Sequence, residues 1–151
     1  QKNYKKATEC LKLALEFDTL NKDLENIYYS QKELAKLYTK IDQKSAQGYF
    51  KQALLTAEEL KDNFKVALVH FEQGEFYYDI EEDKQALICF LDSKKALKSS
   101  KNDENLSRIN SRIKDLRIRL GNKLFDSIVD NYDKNWNNTT TTKFKFGFNC
   151  G

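Results

Sequence analysis

The chain contains no proline and no methionine, only 5 glycines in 151 residues, and a single histidine and a single tryptophan. A chain without proline and nearly without glycine lacks the residues that punctuate turn-rich β folds, and nothing in it breaks a long helix. All-α is therefore the expected class. One histidine and three widely spaced cysteines, Cys10, Cys89 and Cys150, with no C-x-x-C pair, supply neither a zinc ligand set nor the even number of a disulfide framework. No apolar run comes near the roughly 18 residues of a membrane helix, and QKNYKKATEC at the start has no signal-peptide core. A cytoplasmic protein with no membrane contact and no cofactor is expected. Because the chain starts at Gln1 and has no methionine, a fragment or processed chain is expected as well.

The residues that are present make one modest domain the default, since a chain of this size buries about 70% of its unfolded surface. A hydrophobic share of 40% against 32% charged suits a packed, well-solvated helical fold. The formal charge of +3 is too small to call for nucleic acid, which draws a concentrated basic face and a much higher pI.

Internal repeats organise the chain. The segments YKKATECLKLALEF from residue 4, QKSAQGYFKQALLTAEEL from residue 43 and DKQALICFLDSKKAL from residue 83 align. Ala7, Ala46 and Ala86 then fall in register, as do Leu11, Phe50 and Phe90, and then Ala14, Ala53 and Ser93. The order small, large, small at spacings of four and three puts all three positions on one helix face, where small residues admit a close neighbour. The register returns about every 40 residues, within the range of helical arrays. Cys10 and Cys89 each precede the large position, so core or semi-core filling is their expected role. Between these helices a second series keeps helical rhythm: Leu24, Ile27, Tyr28, Leu34, Leu37 and Ile41; then Phe64, Ala67, Leu68, Phe71, Gly74, Tyr77 and Tyr78; then Leu106, Ile109, Ile113, Leu116 and Leu120. Alternating first and second helices of successive hairpins follow, with turns near 39–42, 79–83 and 99–103.

At Gly74, Tyr77, Ala86 and Phe90 the chain resembles the tetratricopeptide repeat family, in which a small residue precedes a tyrosine by three on the first helix and an alanine and a phenylalanine stand four apart on the second. Period length alone also admits a HEAT-like array, and the family's usual period is about 34 residues; the Gly/Tyr/Ala/Phe arrangement favours the tetratricopeptide reading. The resemblance covers residues 4–120. It implies an α-solenoid over 1–134: the second helix of a truncated repeat at 1–20, repeats at 21–60 and 61–100, and a capping hairpin at 101–134. The capping helix is read from 123–132, where Phe125, Val129 and Tyr132 are bulky throughout. The remaining stretch, 135–151, is low-complexity with Phe144, Phe146 and Phe148 alternating, and is expected to be a flexible end or, alternatively, a strip that packs on another surface.

In that family the first helices line a concave groove that grips a peptide or protein segment. Carried over by register, the groove positions are Tyr28, Gln31, Lys32 and Tyr38, with Ala35 and Thr39 between them. They continue with Phe71, Glu72, Glu75, Tyr78 and Asp79, with Leu68 ahead of them, and then Asn110, Lys114 and Arg117. Tyr28, Tyr38, Phe71 and Tyr78 are the expected anchors, because aromatic rings give large contact area at low entropic cost. The competing reading for each is packing of hairpin on hairpin. Gln31, Ala35 and Glu72 do not suit a clamp for a C-terminal carboxylate. The basic run Arg108, Arg112, Lys114, Arg117 and Arg119 stands opposite Glu72, Glu75 and Asp79, so either the two neutralise each other or they form a groove of split polarity. Catalysis is not expected: His70 sits within an apolar stretch and reads as a satisfied packing histidine, and no phosphate loop, HExxH or GxSxG element is present. The function expected is a protein-interaction module, the alternative being a regulatory domain that senses a signalling peptide and controls an effector elsewhere.

Overall fold

A computed structural model describes residues 2–97 and 103–138. Among them are seven α-helices and no strand: α1 (Lys2–Leu20), α2 (Leu24–Tyr38), α3 (Gln43–Glu59), α4 (Asn63–Asp79), α5 (Asp83–Leu97), α6 (Asp103–Leu120) and α7 (Asn122–Asn138). The turns expected at 39–42 and 79–83 lie between α2 and α3 and between α4 and α5. Most of 99–103 falls outside the described residues. Helix α7 runs through Trp136 to Asn138, past the expected boundary at 134; the three alternating phenylalanines lie beyond the described residues.

Four of the described turns carry one left-handed residue each, and only the last of these is glycine. Lys22, Lys61 and Glu81 adopt the left-handed conformation at φ 56°, 55° and 62°, followed by Gly121 at 75°. An acidic residue follows each of the first two and opens the next helix. Asp23 accepts the Asn26 amide at 3.1 Å, and Asp62 accepts the amides of Phe64 and Lys65 at 3.0 Å each. Asp42 accepts the Ser45 amide at 3.1 Å at the start of α3. Such caps occupy amides that a helix start leaves without partners. A left-handed lysine costs about 1 kcal/mol through its Cβ. Lys61→Gly is expected to raise stability by up to about 1 kcal/mol, less what glycine adds to unfolded-chain entropy; urea unfolding of the pair measures it.

The chain divides into two compact units, Gln1–Val69 and His70–Gly151, with the division inside α4. In the first, α1 packs on α2 and α2 on α3. Its core holds the register positions Ala46, Phe50 and Ala53 at 0–1% exposure, with Tyr28, Leu34 and Ala35 from α2. The equivalent positions of α1 are less covered, Ala7 and Leu11 being half-buried and Ala14 exposed. In the second unit α5 packs on α6 and α6 on α7. Ala86, Phe90 and Ser93 are all at 0% exposure. The Phe90 ring lies against the backbone of α4 at Gly74: a Cβ there would stand 2.8 Å from Phe90 Cε1 and 2.9 Å from Cδ1. The absent side chain of Gly74 is therefore what lets the ring seat.

Four expectations are corrected. Cys10 is exposed, because its side of α1 faces solvent. Cys89 is buried as expected but is disulfide-bonded rather than a free thiol. His70 is buried at 3% exposure, yet its Nδ1 has no hydrogen-bond partner among the described residues, so it is a packing histidine without full satisfaction there. Ile41 lies in the turn after α2 and is half exposed.

Candidate functional site

In the first unit, α2 sorts the candidate residues by helical phase. Tyr28 is 1% exposed and donates its hydroxyl to the Lys65 carbonyl at 3.3 Å, so its ring is core and is removed from the anchors. Ala35 is fully buried for the same reason of phase. Gln31 accepts the Thr56 hydroxyl at 2.8 Å and so is spent on α3. Tyr38 stacks on Tyr49 of α3 with centroids 5.3 Å apart, and the Lys12 ammonium of α1 lies 5.5 Å from its centroid. Lys32 has a side chain only 14% exposed, beside Glu33 at 3.1 Å and with its ammonium 5.9 Å from the Tyr29 ring. The aromatic that α2 does present is Tyr29, 51% exposed and edge-on to Tyr28. Sequence reasoning missed it by one residue; the core series Ile27, Leu34 sets a phase that buries Tyr28 and turns Tyr29 outward.

In the second unit, α4 and α6 meet along a line of aromatics, carboxylates and arginines. Phe71 is half-buried, packs on Phe90 at 5.7 Å, and is covered by the Arg108 guanidinium 4.7 Å from its centroid. Glu75 takes Arg112 in a two-point ion pair, Nε to Oε1 at 2.6 Å and Nη2 to Oε2 at 2.8 Å. That hydrogen bond, first among several causes, holds the Arg112 pKa above its ordinary value. The Tyr78 ring lies between two guanidiniums, Arg112 at 4.6 Å and Arg119 at 4.5 Å, and Arg119 also reaches Asp83 at 2.7 Å. Each such guanidinium–ring contact adds roughly 0.5–2 kcal/mol, according to how far it is desolvated. Of the two readings for the opposed charges, Glu75 and Arg112 realise mutual neutralisation. Glu72 is half-buried and Asp79 exposed on the same stretch of α4.

The α6 positions carried over by register do not all face α4. Asn110 accepts from Lys94 of α5 at 2.8 Å. Arg117 pairs with Asp126 of α7 at 2.5 Å and lies over Phe125 at 4.7 Å. Lys114 is exposed. The residues that do line α4 are Arg108, Arg112 and Arg119, one helical stripe away.

A second cluster, also missed, joins α5 to α7. The Lys95 ammonium stands 4.1 Å from the Tyr132 centroid, 4.2 Å from that of Trp136 and 3.3 Å from Asp133. Tyr132 donates its hydroxyl to buried Asp92. Burial pushes the Asp92 carboxyl up to about 6, against the opposing effects of the Tyr132 hydrogen bond and the Lys95 charge. Tyr132 is itself pushed well up, first by burial and then by the Asp92 charge. Tyr132 and Trp136 are four apart on α7, a signal that a helix boundary drawn at 134 cuts in two.

Among the described residues no group of three or more histidine, cysteine, aspartate or glutamate side chains is placed to hold a metal ion, and no helix is long and apolar enough to cross a membrane. Comparison of the chain with protein-family models, with curated proteins and with solved structures finds no match in any of the three.

Proposed function

We propose that the chain is a protein-interaction module of helical-repeat, tetratricopeptide-like type, binding a peptide or protein segment on the surface formed by α4 and α6. The observation that carries this reading is the row Phe71, Tyr78, Arg108, Arg112 and Arg119: half-buried rings whose faces orient arginines at a solvent-facing edge. Aromatic and arginine side chains held rigid before binding are what interface hot spots are made of. Arg108 is exposed and stacked on Phe71 with no carboxylate partner among the described residues, which leaves its donor edge for an incoming acceptor. The repeat reading is supported by contacts that skip a helix within each unit, α2 with α4 through Tyr28 and Lys65, and α4 with α6 and α5 with α7 as above.

Selection of displayed random peptides on the full chain, followed by fluorescence anisotropy of the selected sequences, tests the proposal. Arg108→Ala and Tyr78→Ala are each expected to weaken the selected peptides about tenfold or more, the size of a hot-spot loss. Arg108 is exposed, so its loss leaves the fold intact. If peptides are selected that bind Arg108→Ala and the parent equally, or if none is selected, this surface is not the site.

A further inference from the structure

Helix α1 turns an apolar seam to solvent. Cys10, Leu13, Phe17 and Leu20 follow at spacings of three, four and three, the alternation of a coiled-coil a/d stripe. Leu13, Phe17 and Leu20 are 66%, 67% and 84% exposed, and together they form the longest run of exposed large apolar side chains on one helix face among the described residues. The opposite side of α1 buries Thr8 and is the side that packs on α2. Leu20 also belongs to a cleft of about 510 Å³ between α1 and α3, lined with Lys12, Leu15, Glu16, Thr19 and Tyr49, so seam and cleft are continuous.

Charge along the seam selects what can cover it. Glu9 and Glu16, one heptad apart, flank it on one edge; both are exposed, and neither is in an ion pair among the described residues. Lys12, three residues past Glu9, directs its ammonium to Tyr38 while still feeling the Glu9 charge, and Lys5 lies one turn before Glu9; neither forms an ion pair with it among the described residues. The other edge carries only the small residues Ala7 and Ala14, which let a second backbone approach. A second copy of this chain lying antiparallel on the seam would set Glu9 and Glu16 against their own counterparts. A parallel copy would set them against alanine and asparagine, Ala14 and Asn21. Neither arrangement answers the two carboxylates, whereas lysine or arginine beside the apolar stripe of another helix does. We propose that α1 docks an amphipathic helix of a partner protein, one whose a/d seam is flanked by basic residues. This surface lies in the first unit and is independent of the α4 and α6 surface in the second.

Two synthetic three-heptad peptides serve as probes, both with leucine at a and d, one with lysine and the other with glutamate at e and g; like charges keep each from pairing with itself. Fluorescence anisotropy against the full chain is expected to show the lysine peptide binding about tenfold or more tightly than the glutamate peptide. With a net charge of +3, general attraction would favour the glutamate peptide, so a lysine preference reports the local seam. Phe17→Asp, at a position already two-thirds exposed, is expected to weaken the lysine peptide about tenfold while leaving the helical circular dichroism unchanged. The double variant Glu9→Lys, Glu16→Lys is expected to reverse the preference. Equal binding of the two peptides, a glutamate preference, or no binding of either overturns the proposal. So does a dimer of the parent chain in sedimentation equilibrium that Phe17→Asp dissociates, since the occupant would then be a second copy.

Discussion

Phe90→Ala is expected to lower stability by about 3–5 kcal/mol, the usual cost of emptying a buried aromatic site. The ring is 0% exposed, packs on Phe71 at 5.7 Å and fills the space that Gly74 leaves open on α4. Its partner residue gives a sharper test. Gly74→Ala adds a methyl 2.8 Å from a ring that cannot bend, an overpacking cost of about 1–3 kcal/mol. Alanine also returns about 1 kcal/mol of helix propensity, so a net loss of up to about 2 kcal/mol is expected in the parent. With Phe90 already alanine the ring is gone and only the propensity gain remains, so the same Gly74→Ala is expected to stabilise by up to about 1 kcal/mol. Equilibrium urea unfolding of the four chains measures this change of sign. Equal effects of Gly74→Ala in the two backgrounds would mean that α4 and α5 do not approach as closely as the ring contact requires.

The second large effect is concealed in the parent by cancellation. Burial pushes His70 down to about 4 from an ordinary 6.5, so the unfolded chain binds that proton more readily. The stability associated with neutral His70 is therefore present above pH 6.5 and is lost as pH falls toward 4. Burial pushes Asp92 the other way, up to about 6 from 3.8, so the folded chain holds that proton more tightly. Its stability is present at low pH and is lost as pH rises through 6. Between pH 4 and 6 the two slopes, each about 1.4 kcal/mol per pH unit, oppose each other. Relative to the parent, Asp92→Asn is expected to gain a stability that climbs with pH by about 3 kcal/mol across this window, and His70→Gln one that falls by a similar amount. Urea unfolding at several pH values, expressed as variant minus parent, isolates each group from the other carboxylates. Two flat differences would mean that neither side chain is buried away from water.

The parts of the fold legible in the sequence are those carried by local periodicity. Ala46, Phe50 and Ala53, then Ala86, Phe90 and Ser93, announce helices and the faces they bury, and all six are at 0–1% exposure. The acidic stretch between Tyr78 and Lys84 reads as a turn, and α4 ends at Asp79 while α5 begins at Asp83. The candidate site was less legible because a periodic pattern fixes a face only to within about one residue, and one residue is 100° of helix. That shift separates Tyr28 in the core from Tyr29 at the surface, and a comparable shift on α6 separates Asn110 and Arg117 from Arg108, Arg112 and Arg119. On α4, Phe71, Glu75 and Tyr78 lie against Arg108, Arg112 and Arg119; the basic run already stood opposite the α4 carboxylates in the sequence, but the register carried Asn110, Lys114 and Arg117 into the groove instead.

The sequence by itself determined that this protein is helical, that turns fall at 39–42 and 79–83, and that Ala46, Phe50, Ala53, Ala86, Phe90 and Ser93 belong to the core. These follow from nearest-neighbour chemistry: absent proline, spacings of three and four, and polar connections between them. Only the tertiary structure decided how each charged and aromatic side chain is employed. Whether Arg112 meets a ligand or Glu75, whether Lys95 is solvated or held between Tyr132 and Trp136, and whether Leu13, Phe17 and Leu20 are core or surface depend on the neighbouring helix. Partners that lie about 37 residues away along the chain, as Arg112 does from Glu75, leave no local periodicity to read.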